Sequence, residues 1–525
     1  MLLLEANDVE VCVQDRLLVK TERLEIHTKD RIGLVGKNGS GKTSLLSVLN
    51  GDTHPDKGSV TSHYTCALLP QLKRTDTTKS GGEITQQYIR NCLLRNDEIL
   101  LADEPTTHLD MEHIDWLEKS LLHWQGAFVI VSHDRTFLDA VCNKIWEIDE
   151  QQQLQDYTGN YSAFTTQKQL KEQQHEMAYD KYVKKKKQLE SALELKEKKA
   201  QKATKKPKSV STSEAKLTGA KPYFAKKQKK LQKTSKAIET RLSKLDKIEK
   251  PREITKIKMN IPNESTIKNR AIIRLENVSG FVGNRKIWEQ TSFHVNGGDK
   301  LAILGRNGSG KTTLIKKIMH ADENVYVSPA VKIGYFSQNI DILDSNKSIL
   351  ENVSSTSIQD ETFIRTVLAR LHFFRDDVYK LVNVLSGGER VKVALAKIFV
   401  SNCNTLLLDE PTNFLDIEAV EALESLLQEY EGTVLFISHD RRFIKNIATK
   451  TLTIENKKID FFNGSYKEYK QQKPLEVRNS LEDELLMIDT KITDILSRLS
   501  IEPTEELEVQ FQELLAIKRA LTENE

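Results

Sequence analysis

Short apolar runs recur along the chain, and several of them stop at a residue with its own chemistry. The runs in "IGLVGKNGSGKTSLL" from Ile32 and "AILGRNGSGKTTLI" from Ala302 predict strands that pass through a glycine-rich loop into a helix. "ILLADEP" and "LLLDEP" put Asp103 and Asp409 at strand ends, and "FVIVSHD" and "VLFISHD" have the character of buried strands ending at His133 and His439. The N-terminal "MLLLEANDVEV" reads as the first strand of a domain, because its charges come too early for the apolar core of a signal peptide. No apolar run reaches the roughly 18 residues that a membrane-spanning helix needs. Helical periodicity marks "RTVLARLHFF" and the C-terminal "LEDELLMIDTKITDILSRL". It also marks two stretches in the middle of the chain. Tyr182, Leu189, Leu193, Ala200 and Ala203, then Leu231, Ile238, Leu242 and Leu245, fall at intervals that a heptad seam allows, with Lys186 and Lys196 interrupting the first seam. Pro207, Gly219, Pro222 and the polar run "SVSTSEA" break the pattern between them. An antiparallel helical hairpin is expected, with its tip near residues 205–223 and a reach on the order of 60 Å.

The landmarks recur in the same order. Gly36 and Gly305 are 269 residues apart. Ser80 precedes Glu104 by 24 residues, as Ser386 precedes Glu410, and both glutamates precede their histidines by 29. Two copies of one α/β domain are therefore expected, in keeping with a 525-residue chain too long for a single core. One interval disagrees: nine residues separate Gln71 from Ser80, but 48 separate Gln338 from Ser386. The first copy has lost a helical subdomain and kept its chemistry. The expected division is a first α/β domain over 1–163, a hairpin linker over 164–266, a second α/β domain over 267–473 and a helical extension over 474–525.

Charge is concentrated in the linker. Residues 164–250 hold 26 Lys/Arg against 10 Asp/Glu, a net of +16 in a chain whose total is +3. Residues 198–230 hold 12 lysines and one acid, Glu214, with Tyr223 and Phe224 set among the lysines in "KPYFAKK". Dense cationic charge attracts phosphates through counterion release, and aromatic rings offer stacking surfaces to unpaired bases. Folded RNA is the expected target, with duplex DNA open because electrostatics alone does not discriminate. The five cysteines lack any CxxC pairing, which suits a reducing cytosol and argues against zinc or disulfides.

Both "GKNGSGKT" (Gly36, Asn38, Gly39, Ser40, Gly41, Lys42, Thr43) and "GRNGSGKT" (Gly305, Asn307, Gly308, Ser309, Gly310, Lys311, Thr312) fit a phosphate-binding loop, with Ser44 and Thr313 next in line. Such a loop bares successive backbone N–H groups at a helix N-terminus. Lys42 and Lys311 are expected at the β/γ-phosphates of ATP. Thr43 and Thr312, with Asp103 and Asp409, are expected at Mg²⁺, alongside Gln71 and Gln338. Glu104 and Glu410 stand where a carboxylate can orient or deprotonate the attacking water, and His133 and His439 where an imidazole meets the γ-phosphate.

These strings, together with the two "SGGE" signatures and the "HLD" and "FLD" loops, resemble the ATP-binding cassette superfamily over both repeats. The resemblance implies two tandem cassettes packed head to tail. Lys42 would then share one site with Ser386, Gly387 and Gly388, and Lys311 would share the other with Ser80, Gly81 and Gly82. It also implies an aromatic residue stacked on adenine. Phe281 holds that place in the second copy, whereas Cys12 holds it in the first, leaving Tyr64 or another aromatic as the substitute.

Tandem cassettes joined by a charged helical linker resemble the F subfamily, which acts on ribosomes. The strings "PQLK", "TKSGGE", "TGAKPYFAKKQKKL", "LHFFRDDVYK", "LSGGERVKVALAK" and "LSRLSIEPTEELE" are similar to its Vga-like antibiotic-resistance branch. That resemblance implies a cytoplasmic, ribosome-associated ATPase, working as a monomer on the 70S particle. It would occupy the tRNA exit (E) site beside rRNA and the E-site and P-site tRNAs. There it would displace streptogramin A, lincosamide or pleuromutilin drugs from the peptidyl transferase centre, with Ser211, Ser213, Lys216, Leu217, Thr218, Gly219 and Ala220 as candidate tip residues. A housekeeping translation factor, the ATPase of a drug exporter and a non-enzymatic RNA scaffold are the alternatives.

Overall fold

A computed structural model of the chain describes residues 1–13, 16–70, 89–90, 97–107, 109–203, 220–245, 267–337 and 342–472, with scattered positions after 491; of 200–203, 220–228 and 231 it describes the backbone alone. Two α/β domains carry the same topology. In the first, a six-stranded sheet runs in the order Cys66–Leu69, Ile99–Asp103, Ala127–Val131, Arg31–Gly36, Lys144–Ile148 and Leu154–Thr158. The first five strands are parallel and the last is antiparallel. In the second, Ile333–Phe336, Thr405–Asp409, Thr433–Ile437, Lys300–Gly305, Lys450–Glu455 and Lys458–Phe462 repeat that order and direction. Each domain adds a three-stranded antiparallel sheet, built in the first on the strand Leu2–Val13 and in the second on Ala271–Val282.

The central strands are apolar along their length because both faces are covered. Ile99–Asp103, Ala127–Val131, Thr405–Asp409 and Thr433–Ile437 are buried at every residue. The functional strings therefore follow the carboxyl ends of neighbouring strands, the edge of an open parallel sheet where ligands bind. Phe443 shows how the layers interlock: it is fully buried and meets Phe436 edge-on with ring centroids 5.5 Å apart.

The two domains differ where the two serine spacings differ. In the second, helices Ile349–Ser354, Glu361–Arg370 and Gly387–Phe399 form a helical subdomain whose Ile364, Val367 and Leu368 are buried in the same core as Phe436. In the first, most of the corresponding segment, residues 71–88 and 91–96, lies outside the described residues.

The linker's first helix, Tyr161–Ala203, runs unbroken for 43 residues, about 64 Å, and packs along a second helix, Ala220–Ser243. Its root belongs to the first domain's core, where Tyr161 and Phe164 are buried beside Tyr157. Tyr182, Leu189, Leu193, Ile238, Leu242 and Leu245 are half-buried, as a seam requires, and Lys186 stays outside it on an i,i+4 pair with Glu190. The second helix starts inside the expected tip. Pro222 sits in its first turn, where a missing N–H costs nothing, so it does not break the helix. Residues 204–219, with the other tip candidates, and most of the extension after 473 lie outside the described residues.

Phe443→Ala is expected to destabilise the second domain by about 3–5 kcal/mol, the cost of an unfilled aromatic site in a close-packed core. Chemical denaturation followed by circular dichroism measures it.

Candidate functional site

Each phosphate-binding loop is shaped by three glycines in the left-handed region. Their φ angles are 156°, 75° and 96° at Gly36, Gly39 and Gly41, and 149°, 76° and 97° at Gly305, Gly308 and Gly310. At Gly41 and Gly310 space matters too. A Cβ on Gly41 would lie 2.8 Å from Leu18 and 2.9 Å from Val19, and one on Gly310 would lie 2.3 Å from Trp288. The lysines then fold back over their loops. Lys42 Nζ donates to the carbonyls of Gly36 at 2.8 Å and Lys37 at 2.9 Å; Lys311 Nζ donates to those of Gly305 at 2.8 Å and Arg306 at 3.1 Å. Both ammonium groups are buried, and burial lowers their pKa despite the nearby Glu104 and Glu410. The Oγ atoms of Ser40 and Ser309 are buried without a hydrogen-bond partner. A ring of bared amides, a buried cation and an orphan hydroxyl together fit a polyphosphate.

Thr43 Oγ1 donates to Asp103 Oδ2 at 2.6 Å, and Thr312 bonds Asp409 in the same way. Hydroxyl and carboxylate oxygens of this kind suit Mg²⁺, which keeps most of its shell as water and phosphate. Glu104 and Glu410 leave their strands with φ of 52°, a left-handed conformation that costs a non-glycine residue about 1–2 kcal/mol. Their N–H groups hold the turn by donating to Val131 and Ile437 at 2.9 and 3.0 Å. Burial pushes the Glu104 carboxyl up to about 8 and that of Glu410 up to about 7, values suited to accepting a proton near neutrality. His133 and His439 are held at about 3, by burial first and then by Lys42 and Lys311 respectively, so both rings are neutral. Nε2 of each lies 3.2 Å from its glutamate.

The opposite domain closes each loop. The N–H of Asn38 donates to Asp416 Oδ2 at 3.2 Å and its side-chain amide donates to the carbonyl of Phe414 at 2.8 Å. The N–H of Asn307 donates to Asp110 Oδ2 at 3.1 Å. Ser386 caps the helix Gly387–Phe399 in a reciprocal box with Glu389, which fixes the helix start at the signature; a Cβ on Gly388 would lie 2.7 Å from the Asn38 amide. The signature of the second domain thus faces the loop of the first.

Four residues outside the expected set brace this arrangement. Arg135 follows the His133–Asp134 pair and is 1% exposed; it binds Glu424 and lies 3.3 Å from Glu421, both on the opposite helix Ile417–Glu429. Arg441 follows His439–Asp440 and reaches Asp115 and, at 3.1 Å, Glu118 on the helix Met111–His123. Asp110 and Asp416 are the others. For Asp416, burial works against ionisation, but Lys392 and the N–H groups of Ala419 and Asn38 outweigh it and hold the carboxyl at about 2. The signal was in the strings: "SHDR" and "LD" occur in both copies at one spacing.

Phe281 stands one residue before the end of its strand, Ala271–Val282, with 52% of its surface exposed, one residue beyond Gly280, which pairs with the Trp288 that floors the loop at Gly310. Tyr64 does not serve the first domain in that way. Its hydroxyl meets Met1 Sδ at 3.4 Å, at the opposite end of Leu2–Val13 from Cys12 and roughly 30 Å along the strand. Gln71, Ser80, Gly81, Gly82 and Gln338 lie outside the described residues.

Two outcomes follow. Because Glu104 and Glu410 are raised above an unfolded value near 4.5, they stabilise the fold below that pH, and the contribution is lost as pH rises through about 7 and 8. Nucleotide-free Glu104→Gln/Glu410→Gln protein should gain thermal stability relative to the parent between pH 5 and pH 8.5, by an amount on the order of a few kcal/mol, read from melting curves at both values. Arg135→Ala leaves Glu424 buried without its cation and is expected to cost about 3–5 kcal/mol and to slow ATP turnover. Arg441→Ala should cost less, since Asp115 is 54% exposed; steady-state phosphate release and melting curves compare the two.

The profile described as ABC transporter matches residues 19–75 and 288–413. The chain is 32% identical over 480 residues to the erythromycin resistance ATP-binding protein MsrA of Staphylococcus epidermidis, covering 86% of this chain and 98% of that one. It is 30% identical over 528 residues to the ribosome protection protein VmlR of Bacillus subtilis (strain 168), covering 94% and 93%. Among solved structures, RNase-L Inhibitor superposes with a TM-score of 0.58 at 18% identity, over 88% of this chain and 91% of that one, a likeness of tandem-cassette fold. With paired loops, signature and crossing aspartates already in place, the chain belongs to the ATP-binding cassette family, in its F subfamily, and is an ATPase.

Proposed function

We propose that this ATPase works on the ribosome as a Vga-like ribosome-protection protein. ATP-driven closure of the two cassettes holds the basic hairpin in the E site, next to the E-site and P-site tRNAs. Its tip disturbs rRNA so that streptogramin A, lincosamide or pleuromutilin drugs leave the peptidyl transferase centre. The observation that carries this reading is a pairing in one molecule: loops capped from across the cassette interface, and a helix about 64 Å long rooted in the first of those cassettes. The charge of +16 over residues 164–250 suits an RNA surface, and the relatives named for erythromycin resistance and ribosome protection point the same way. No described helix is long and apolar enough to cross a membrane.

In this reading Lys42 and Lys311 neutralise β/γ-phosphate charge, and the loop amides with the Gly387–Phe399 N-terminus orient it. Thr43 with Asp103, and Thr312 with Asp409, hold Mg²⁺ together with Gln71 and Gln338; the ion supplies Lewis-acid neutralisation of the phosphates. Glu104 and Glu410 take the proton of the attacking water, and His133 and His439 donate Nε2–H to the γ-phosphoryl oxygens. Ser80, Gly81 and Gly82 complete the second site as Ser386, Gly387 and Gly388 complete the first, and Phe281 stacks on adenine at the second. Loss of the γ-phosphate removes the shared ligand, and the cassettes part.

The Glu104→Gln/Glu410→Gln protein with ATP is expected to co-sediment with 70S ribosomes in a sucrose gradient and to arrest translation; recovery at the top of the gradient would overturn the ribosomal reading. Expression of the parent chain in a sensitive host should raise minimum inhibitory concentrations for at least one of the three drug classes. Unchanged susceptibility with intact ribosome binding would favour a housekeeping translation factor.

A further inference from the structure

An acidic residue stands two places after each crossing aspartate: Glu112 after Asp110 and Glu418 after Asp416. Each meets the second residue of the opposite phosphate-binding loop. Arg306 Nε donates to Glu112 Oε1 at 2.7 Å, and Lys37 Nζ lies 3.7 Å from Glu418 Oε2. At the second site this is a surface pair, with Glu112 55% and Arg306 68% exposed. The first site differs. Glu418 is more enclosed, at 37%, and has two further cationic or ionisable neighbours: Lys168 Nζ at 3.6 Å from Oε1 and His372 Nε2 at 3.9 Å from Oε2. Lys168 lies on the hairpin's first helix, seven residues from its start. One carboxylate of the second cassette thus touches a phosphate-binding loop and the root of the hairpin together.

We propose that Glu418 is a positioning residue that ties ATP closure at the first site to the root of the hairpin through Lys168. The partners sort by the body they belong to. Lys168 is held by Glu147 at 2.8 Å and lies 5.9 Å over the Phe164 ring, and Lys37 is held by Glu150 at 2.6 Å. All of these belong to the first cassette or the hairpin root, and they stay together wherever the second cassette stands. Glu418 belongs to the helix capped by Asp416, whose other oxygen takes the Asn38 N–H, so it reaches Lys37 and Lys168 when the first site shuts. Closure adds a second carboxylate to the root, and opening removes it. By reciprocity, a partner that fixes the hairpin root raises ATP affinity at this site by the factor with which ATP fixes the root. The second site, with Arg306 and Glu112, has no such connection among the described residues.

The test uses the full chain with Glu104→Gln/Glu410→Gln as the hydrolysis-blocked parent, and adds K168M, E418Q, both together, or E112Q. ATP affinity and hydrogen exchange of the helix between residues 161 and 175 are measured with ATP and with ADP. Half-exposed pairs of this kind set the scale: K168M and E418Q should each weaken ATP by about twofold to fivefold, and the double variant should be no weaker than E418Q alone. ATP should protect the root in the parent and in E112Q, and should fail to do so in K168M and E418Q. Additive losses, or ATP-dependent protection that survives in both K168M and E418Q, would overturn the coupling. No ribosome enters the experiment, so that result would leave the ribosomal reading standing.

Discussion

A backbone amide on each phosphate-binding loop is bonded by an aspartate from the opposite cassette, Asn38 by Asp416 and Asn307 by Asp110. Each aspartate also caps its own helix, Asp416 accepting from Ala419 and Asp110 from His113. One carboxylate therefore ties the shape of a loop to the position of a helix in the other cassette. The two tasks fall to different oxygens: Oδ1 of each aspartate caps its own helix and Oδ2 holds the loop across the interface, so each capped helix start presents a fixed acceptor to the opposite loop.

The charges around the crossing make the contact between the cassettes specific. Buried ion pairs gain little over apolar packing but cost several kcal/mol when one partner is stranded. Arg135, sunk among Glu424, Glu421 and Asp440, makes a misaligned interface expensive. Asp134 and Asp440, each between a histidine and an arginine, are close enough that burial first and then their mutual repulsion push Asp134 up to about 6. A contact surface built from such groups rewards one alignment of charges, whereas an apolar surface would accept many.

The two sites share a plan and differ in their surroundings. Asp416 is paired with Lys392 of the signature helix at 3.2 Å, whereas Asp110 meets the imidazole of His113 at 2.5 Å. The first site also borders the hairpin root, because the helix Tyr161–Ala203 leaves the first cassette directly after its last strand, Leu154–Thr158. A duplicated domain thus becomes asymmetric through what is attached to it.

Much of this was legible in the residues themselves. Glycine spacing, apolar runs and two sets of equal intervals determined the α/β fold, the duplication, the loop lysines and the glutamate and histidine of each site, since those properties depend on local conformation and strand periodicity. The helical hairpin followed from heptad spacing, although its second helix begins before Pro222, because a proline in a first turn lacks only an N–H that would have had no partner. Tertiary structure alone decided which side chains cross the interface. Arg135 meets Glu424, and Glu418 meets Lys168 and Lys37, across 250 residues of chain or more, pairings that no local pattern supplies. Tyr64 failed as an adenine contact for the same reason: proximity in sequence to a site strand does not say which end of the strand a residue will meet. Local sequence sets what a segment can form, while the pairing of distant charges is set by the one arrangement in which both cassettes bury their cores and satisfy each other's loops.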